Sequence, residues 1–278
     1  MFFEATVMKV NRFMGVGLIA LFVGFVVAAE PADRIHEWRF FSEALQREMP
    51  VSVVAPESAM TVTPVLVFLH GRGRHHRSLL EVEQCREQLL SADMWVILPD
   101  GEDGWYINSP VQNEARYEDY LSEVIEQAKQ RFELTQSPDG WAIGGWSMGG
   151  YGAMRFAVRH PRQFGTVATV VGLLDFPRKE TLPEGQNYTV PWGRFGEDRE
   201  VWKEYNPIND ITALRGKSVL LITADAAFDR TMNQNFSAAL IDAKVGHRII
   251  TLEGAHTFPV VQESLPLVLE FVQARIDR

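Results

Sequence analysis

The chain has 278 residues and a formal net charge of −9, with 46% hydrophobic and 23% charged side chains. That balance excludes intrinsic disorder, and the acidic excess makes nucleic acid and anionic membrane surfaces poor partners. A single cysteine, Cys85, excludes an internal disulfide, so stability must come from a packed core.

Elements are predicted in chain order as follows. Lys9 and Arg12 precede the uncharged run MGVGLIALFVGFVVAA (14–29), which meets Glu30 and Pro31. A basic start, a short apolar stretch and small residues at Val27 and Ala29 predict a bacterial-type signal peptide over residues 1–29, and hence a periplasmic or secreted protein. The run is short for a membrane span, which needs roughly twenty residues; an uncleaved N-terminal anchor is the alternative. Residues 30–278 carry no repeat, linker or low-complexity segment and are expected to form one domain. EWRFFSEALQREMPVSVVAPE (37–57) predicts an antiparallel hairpin. The runs PVLVFLHG (64–71), MWVILPDG (94–101), GWAIGGWS (140–147), TVATVVGLL (166–174), SVLLITAD (218–225) and HRIITLEG (247–254) are apolar, β-branched and end in turn residues. Runs of that kind suit strands buried on both faces of a mainly parallel sheet. Between them RSLLEVEQCREQLLSA, YEDYLSEVIEQAKQRFEL, GAMRFAVRH and MNQNFSAALIDA have helical apolar spacing. The alternation predicts one α/β domain with helices on both faces. Residues 175–210, rich in Pro, Gly and charge, are expected to be a loop or small cap, and Cys85 a buried apolar residue.

Gly145-Trp146-Ser147-Met148-Gly149 fits G-x-S-x-G, a pattern expected about 0.1 times by chance in such a chain. Its setting says more, because an apolar strand runs into it and a helix follows. That is the strand–turn–helix context of a nucleophile elbow, in which a strained turn exposes the serine hydroxyl. Backbone N–H groups must then hold the oxyanion. Met148 supplies one, and Arg72, in the FLHGRGRHH loop (68–76) after an earlier strand, supplies the second. The base is expected late in the chain. His256, in the small-residue loop LEGAHTFP, fits better than His247, which opens a strand. For the acid, LLITADAAFDR (220–230) offers Asp225 and Asp229; Asp225 is favoured as the nearer to the strand end, with Asp229 the alternative. Trp105, Tyr106, Trp146 and Tyr151 are expected near the mouth as substrate contacts, and together with the acidic surface they suit neutral esters. His70, His75 and His76 have no ligand spacing and HExxH is absent, so neither metal nor other cofactor is expected.

At this point the residues resemble a known group, the α/β-hydrolases of the Putative esterase family, which includes esterase D, S-formylglutathione hydrolases, feruloyl esterases and mycolyltransferases. SEALQREMPVSVVAPE resembles its opening hairpin, PVLVFLHGRG its oxyanion strand and loop, and DGWYINSP with YEDYLSEVIEQAKQRF its segment before the elbow. GGWSMGGYGAM is similar to its most specific motif, FGEDREVWKEYNP to the stretch before its acid strand, and EGAHTFPVV to the stretch carrying its histidine. The resemblance implies an α/β-hydrolase fold with Ser147 as nucleophile and His256 as base. In relatives the acid lies three residues beyond a Gly, but here Ala224 and Ala227 fill those places, so Asp225 or Asp229 must serve instead. The expected activity is that of a serine carboxylesterase with a Ser-His-Asp triad, acting on small-molecule or carbohydrate-linked acetyl or feruloyl esters. Peptidase or acyltransferase chemistry on the same triad is one alternative, and a catalytically dead carbohydrate-binding protein another.

Overall fold

The computed structural model describes residues 34–58 and 63–276; the signal expected over residues 1–29 lies outside them. The chain runs β1 (Ile35–Ser42), β2 (Arg47–Val54), β3 (Val65–Leu69), α1 (Glu83–Ser91), β4 (Trp95–Pro99), α2 (Tyr117–Arg131), β5 (Trp141–Trp146), α3 (Met148–Arg159), β6 (Thr166–Val170), α4 (Trp192–Phe195), α5 (Trp202–Tyr205), β7 (Ser218–Ala224), α6 (Arg230–Asp242), β8 (His247–Leu252) and α7 (Phe258–Ile276). All eight strands join one sheet in the order β1-β2-β4-β3-β5-β6-β7-β8. The hairpin β1–β2 and the β2–β4 pair are antiparallel; every later pair is parallel.

Side chains alternate across this sheet with the period of two that a pleated strand imposes. In β3, Val65, Val67 and Leu69 face one core, while Leu66 and Phe68 face the other. Helix α2 lays Tyr117, Tyr120, Leu121, Val124, Ile125 and Ala128 on the first core at helical spacing, beside α3 and α6. Helices α1 and α7 cover the second, with Cys85 buried beneath α1. Helix α3 is buried from Met148 to Val158, because the segment Pro207–Leu214 packs over the side turned away from the sheet.

Three elements differ from expectation. Strand β8 is an edge strand with Arg248, Ile249 and Thr251 exposed and no residue fully buried, so it is not buried on both faces. The first helix starts at Glu83, since residues 77–82 form turns. Helix α7 was not expected at all; its Pro266 reads as a helix breaker, yet Val260, Val261, Leu265, Val268, Leu269 and Val272 form a continuous buried face. Residues 175–210 form a mainly irregular cap with the two short helices α4 and α5. No helix among the described residues is long and apolar enough to cross a membrane.

Candidate active site

Open α/β sheets bind ligands outside the carboxyl ends of their parallel strands. Here the loops after β3, β5, β6, β7 and β8 converge at that end. Ser147 follows β5 directly and has φ 54° and ψ −119°, a left-handed conformation that costs energy in any residue with a side chain. Its N–H donates to Val170 O and its carbonyl accepts from Tyr151 N, both at 3.0 Å, so the strain is held by strand β6 and helix α3. Gly149 allows the turn to close: a Cβ there would lie 2.1 Å from Leu69 O.

The hydroxyl of Ser147 lies 2.8 Å from His256 Nε2, and His256 Nδ1 lies 2.7 Å from Asp229 Oδ1. An ionised carboxylate only accepts, so Nδ1 carries the proton and Nε2 is free to accept from Ser147 Oγ. Asp229 is 0% exposed, a placement a carboxylate tolerates only when well paired. Its other oxygen accepts from Thr223 Oγ1 at 2.8 Å and Asn233 Nδ2 at 2.9 Å. Asn233 is tied in turn to Gly172 O, which joins the carboxylate to the loop after β6. The Phe228 ring stacks on the His256 imidazole with centroids 4.3 Å apart.

Of the two aspartates offered by the sequence, the structure brings Asp229, the alternative, to His256, and not the favoured Asp225. Asp225 is exposed, and its Oδ1 accepts the Gly254 N–H at 2.9 Å, bracing the loop that carries His256. Asp229 occupies the N-cap position of α6 but makes no cap bond, so its carboxylate is free to face His256. Thr223, Phe228 and Asn233 were not anticipated; the four-residue spacing of Asp229 and Asn233 at a helix start is the one signal that could have found one of them.

Of the two expected oxyanion donors, Arg72 lines the cavity at Ser147 and Met148 follows the serine directly at the start of α3. Neither the Met148 nor the Arg72 backbone N–H has an acceptor among the described residues. Beside Arg72, buried His70 accepts the Gly101 N–H at Nε2 (2.8 Å), which leaves Nδ1 to donate to Gly71 O (2.8 Å). Carbonyl and N–H of one planar peptide point opposite ways, so fixing Gly71 O also fixes the direction of the Arg72 N–H. The Arg72 side chain bridges Asp103 (3.1 Å) and Tyr188 of the cap (3.2 Å).

A cavity of about 170 Å³ opens over Ser147 and His256, with Arg72, Arg74, Trp146 and Phe258 in its wall. Of the four aromatic residues expected to touch substrate, only Trp146 lines it. Trp105, Tyr106 and Tyr151 are at most 1% exposed and belong to the core, because their rings pack on Phe176, Phe195 and α3 rather than on the opening. A larger groove of about 310 Å³ lies at the opposite end of β7 and β8 and contains none of these residues. Among the described residues no group of three His, Cys, Asp or Glu is arranged to hold a metal ion.

Comparison with known proteins bears on the family and the fold. Residues 42–257 match the model of the family described as Putative esterase. The chain is similar to an acetyl esterase of Caldicellulosiruptor saccharolyticus, 27% identical over 153 residues that make up 54% of this chain and 57% of the relative. It is also similar to an esterase of Mycobacterium tuberculosis, 22% identical over 265 residues, covering 82% of this chain and 57% of that protein. The chain thus matches little more than half the length of these curated relatives. Among solved structures it superposes on the fluorophosphonate-binding serine hydrolase F of Staphylococcus aureus with a TM-score of 0.73 and 20% identity, over 86% of this chain and 97% of that one. The fold is that of the α/β-hydrolases.

Proposed function

This chain belongs to the Putative esterase family, and from that premise we propose that it hydrolyses carboxylic esters through an acyl-enzyme on Ser147. The observation that carries the reading is the unbroken line Asp229–His256–Ser147, with contacts of 2.7 and 2.8 Å, ending on a serine held in a strained turn. His256 Nε2 takes the hydroxyl proton as Ser147 Oγ attacks the ester carbonyl. Asp229 holds the imidazole in the accepting tautomer and stabilises the imidazolium that forms. The Met148 and Arg72 N–H groups receive the developing oxyanion. His256 then returns the proton to the leaving alcohol, and water, activated by the same imidazole, releases the acid and restores Ser147.

A short acyl group is the substrate that suits this site best, acetyl before feruloyl. The cavity volume of about 170 Å³ supports that order, as does the similarity to a protein named acetyl esterase. The protein is further proposed to be exported, on the basic-then-apolar pattern of residues 9–29; recovery of the protein in the cytosolic fraction of its host with that pattern still attached would overturn this. For the activity, a fluorophosphonate probe is expected to label wild type and not Ser147→Ala. Wild type is also expected to hydrolyse 4-nitrophenyl acetate faster than the palmitate. Folded wild type that neither takes the probe nor cleaves any ester would refute the esterase reading.

A further inference from the structure

The wall of the Ser147 cavity is more cationic than the acidic composition of the chain leads one to expect. Two arginines reach it from the loop after β3, Arg72 and Arg74. Arg72 is neutralised by Asp103 at 3.1 Å. Arg74 is exposed, and its guanidinium has neither a carboxylate partner nor any other hydrogen-bond acceptor among the described residues. It is nonetheless held in place, with its guanidinium 4.8 Å from the centre of the Phe258 ring, itself part of the cavity wall. A cation over an aromatic face is attracted by the ring's quadrupole while its N–H groups stay free to bind.

Neighbouring cations are disposed differently. Arg77 pairs with Glu37 and Glu81, and His75 lies 3.5 Å from Glu81. His256 is paired with Asp229. In a chain with nine more acids than bases, an arginine left unpaired beside the reacting serine stands apart from its surroundings. A guanidinium offers a planar fork of donors matched to carboxylate, phosphate or sulfate, and a cleft with low-dielectric walls strengthens its field.

Resting on the esterase reading above, we propose that Arg74 is a specificity-determining residue that binds an anionic group on the ester substrate. This refines the expectation of neutral esters drawn from the acidic surface and the aromatic residues of the sequence. Overall charge describes the surface as a whole, whereas a substrate responds to the charge within a few ångströms of the serine. The favoured substrate is then a short acyl ester carrying an anion, most simply a carboxylate, on its alcohol or its acyl part.

The test compares kcat/KM for matched anionic and neutral esters in two arms. With the anion on the alcohol part, 3-acetoxybenzoate is set against 3-acetoxybenzamide. With the anion on the acyl part, mono-4-nitrophenyl adipate is set against 4-nitrophenyl hexanoate. In at least one arm the anionic-to-neutral ratio is expected to fall about tenfold in Arg74→Gln, the size of a lost charge-assisted hydrogen bond. Arg74→Lys should retain part of the ratio, and added salt should lower it in wild type. Arg162→Gln makes the same charge change on an exposed turn at the other end of the sheet and should leave the ratio as it is. A ratio in Arg74→Gln within about twofold of wild type in both arms, a change no larger than surface substitutions commonly cause, overturns the proposal while leaving the esterase reading intact. Wild type that hydrolyses neither anionic ester also overturns the proposal, and folded wild type that cleaves no ester and takes no fluorophosphonate sinks the esterase reading with it.

Discussion

Asp229 is a buried carboxylate met by three donors: Thr223 and Asn233 on one oxygen and His256 on the other. Replacing it by Asn keeps the shape but offers His256 Nδ1 an amide in place of a charge, so the tautomer that accepts from Ser147 is no longer held. The expected outcome is a kcat lower by roughly 10³- to 10⁴-fold with little change in fold. Asp225→Asn removes only a brace on the Gly254 N–H and should alter kcat by about twofold. Steady-state kinetics on 4-nitrophenyl acetate decide between them, and a larger loss in Asp225→Asn would reverse the assignment. Ser147 and His256 were legible in the sequence because glycine spacing around a serine, and a histidine in the loop after the last strand, follow from local chain geometry. The acid was not. Distance along the chain favours Asp225, but residues 224–227 turn back on themselves, with Ala227 N donating to Ala224 O. That turn carries Asp229 to the start of α6 and beneath the imidazole. Nothing in the run of alanines specifies how it folds.

Between elements, the clearest electrostatic joint links α2 to α3. Glu118 on α2 is buried and accepts from His160 Nε2 at 3.0 Å, with Arg159 Nε at 3.6 Å. Burial alone would push its carboxyl up. The His160 hydrogen bond and the charges of Arg155, His160 and Arg159 outweigh that and hold it below its ordinary value. A carboxyl depressed in the folded state binds fewer protons there than in the unfolded chain. The stability it supplies is therefore present above its ordinary value of 4.5 and is lost as pH falls through the folded one. Glu118→Gln should cost roughly 1–3 kcal/mol at neutral pH, with the gap to wild type closing in acid. Denaturant titrations at several pH values read this directly, and a pH-independent gap would mean the carboxylate's charge contributes nothing. This joint was invisible in the sequence, because Glu118 and His160 lie 42 positions apart. The elements themselves were largely visible. Six apolar runs became β3 to β8, because strands that end in turn residues and alternate with amphipathic helices have few other ways to bury their faces.

On the scale of the molecule, the stretch that matches the family model and the unit that must fold are not the same. The match ends at residue 257, one residue before α7 begins. Yet α7 places Val260, Val261, Leu265, Val268, Leu269 and Val272 in the second core, over β6 and β7 and beside α1. At roughly 1.5–3 kcal/mol for each fully buried apolar side chain, these six together rival the whole net stability of a domain, about 5–15 kcal/mol. Without them that face of the sheet would be an apolar surface in water, a standing invitation to aggregate. The helix also starts at the cavity, since Phe258 and Val261 line the wall beside Ser147 and Phe258 carries the Arg74 contact. A chain ending at Thr257 retains every residue of the proposed triad and both oxyanion donors. If the site needed only those residues, that chain would label with fluorophosphonate. The expected result is the opposite: no cooperative thermal transition by circular dichroism, aggregation on size exclusion, and no labelling. Helix α7 escaped the sequence pattern because of Pro266, although a proline costs a helix only the hydrogen bond and space of one turn. Six buried contacts outweigh that penalty, and they make the last helix as necessary to the serine as the turn that holds it.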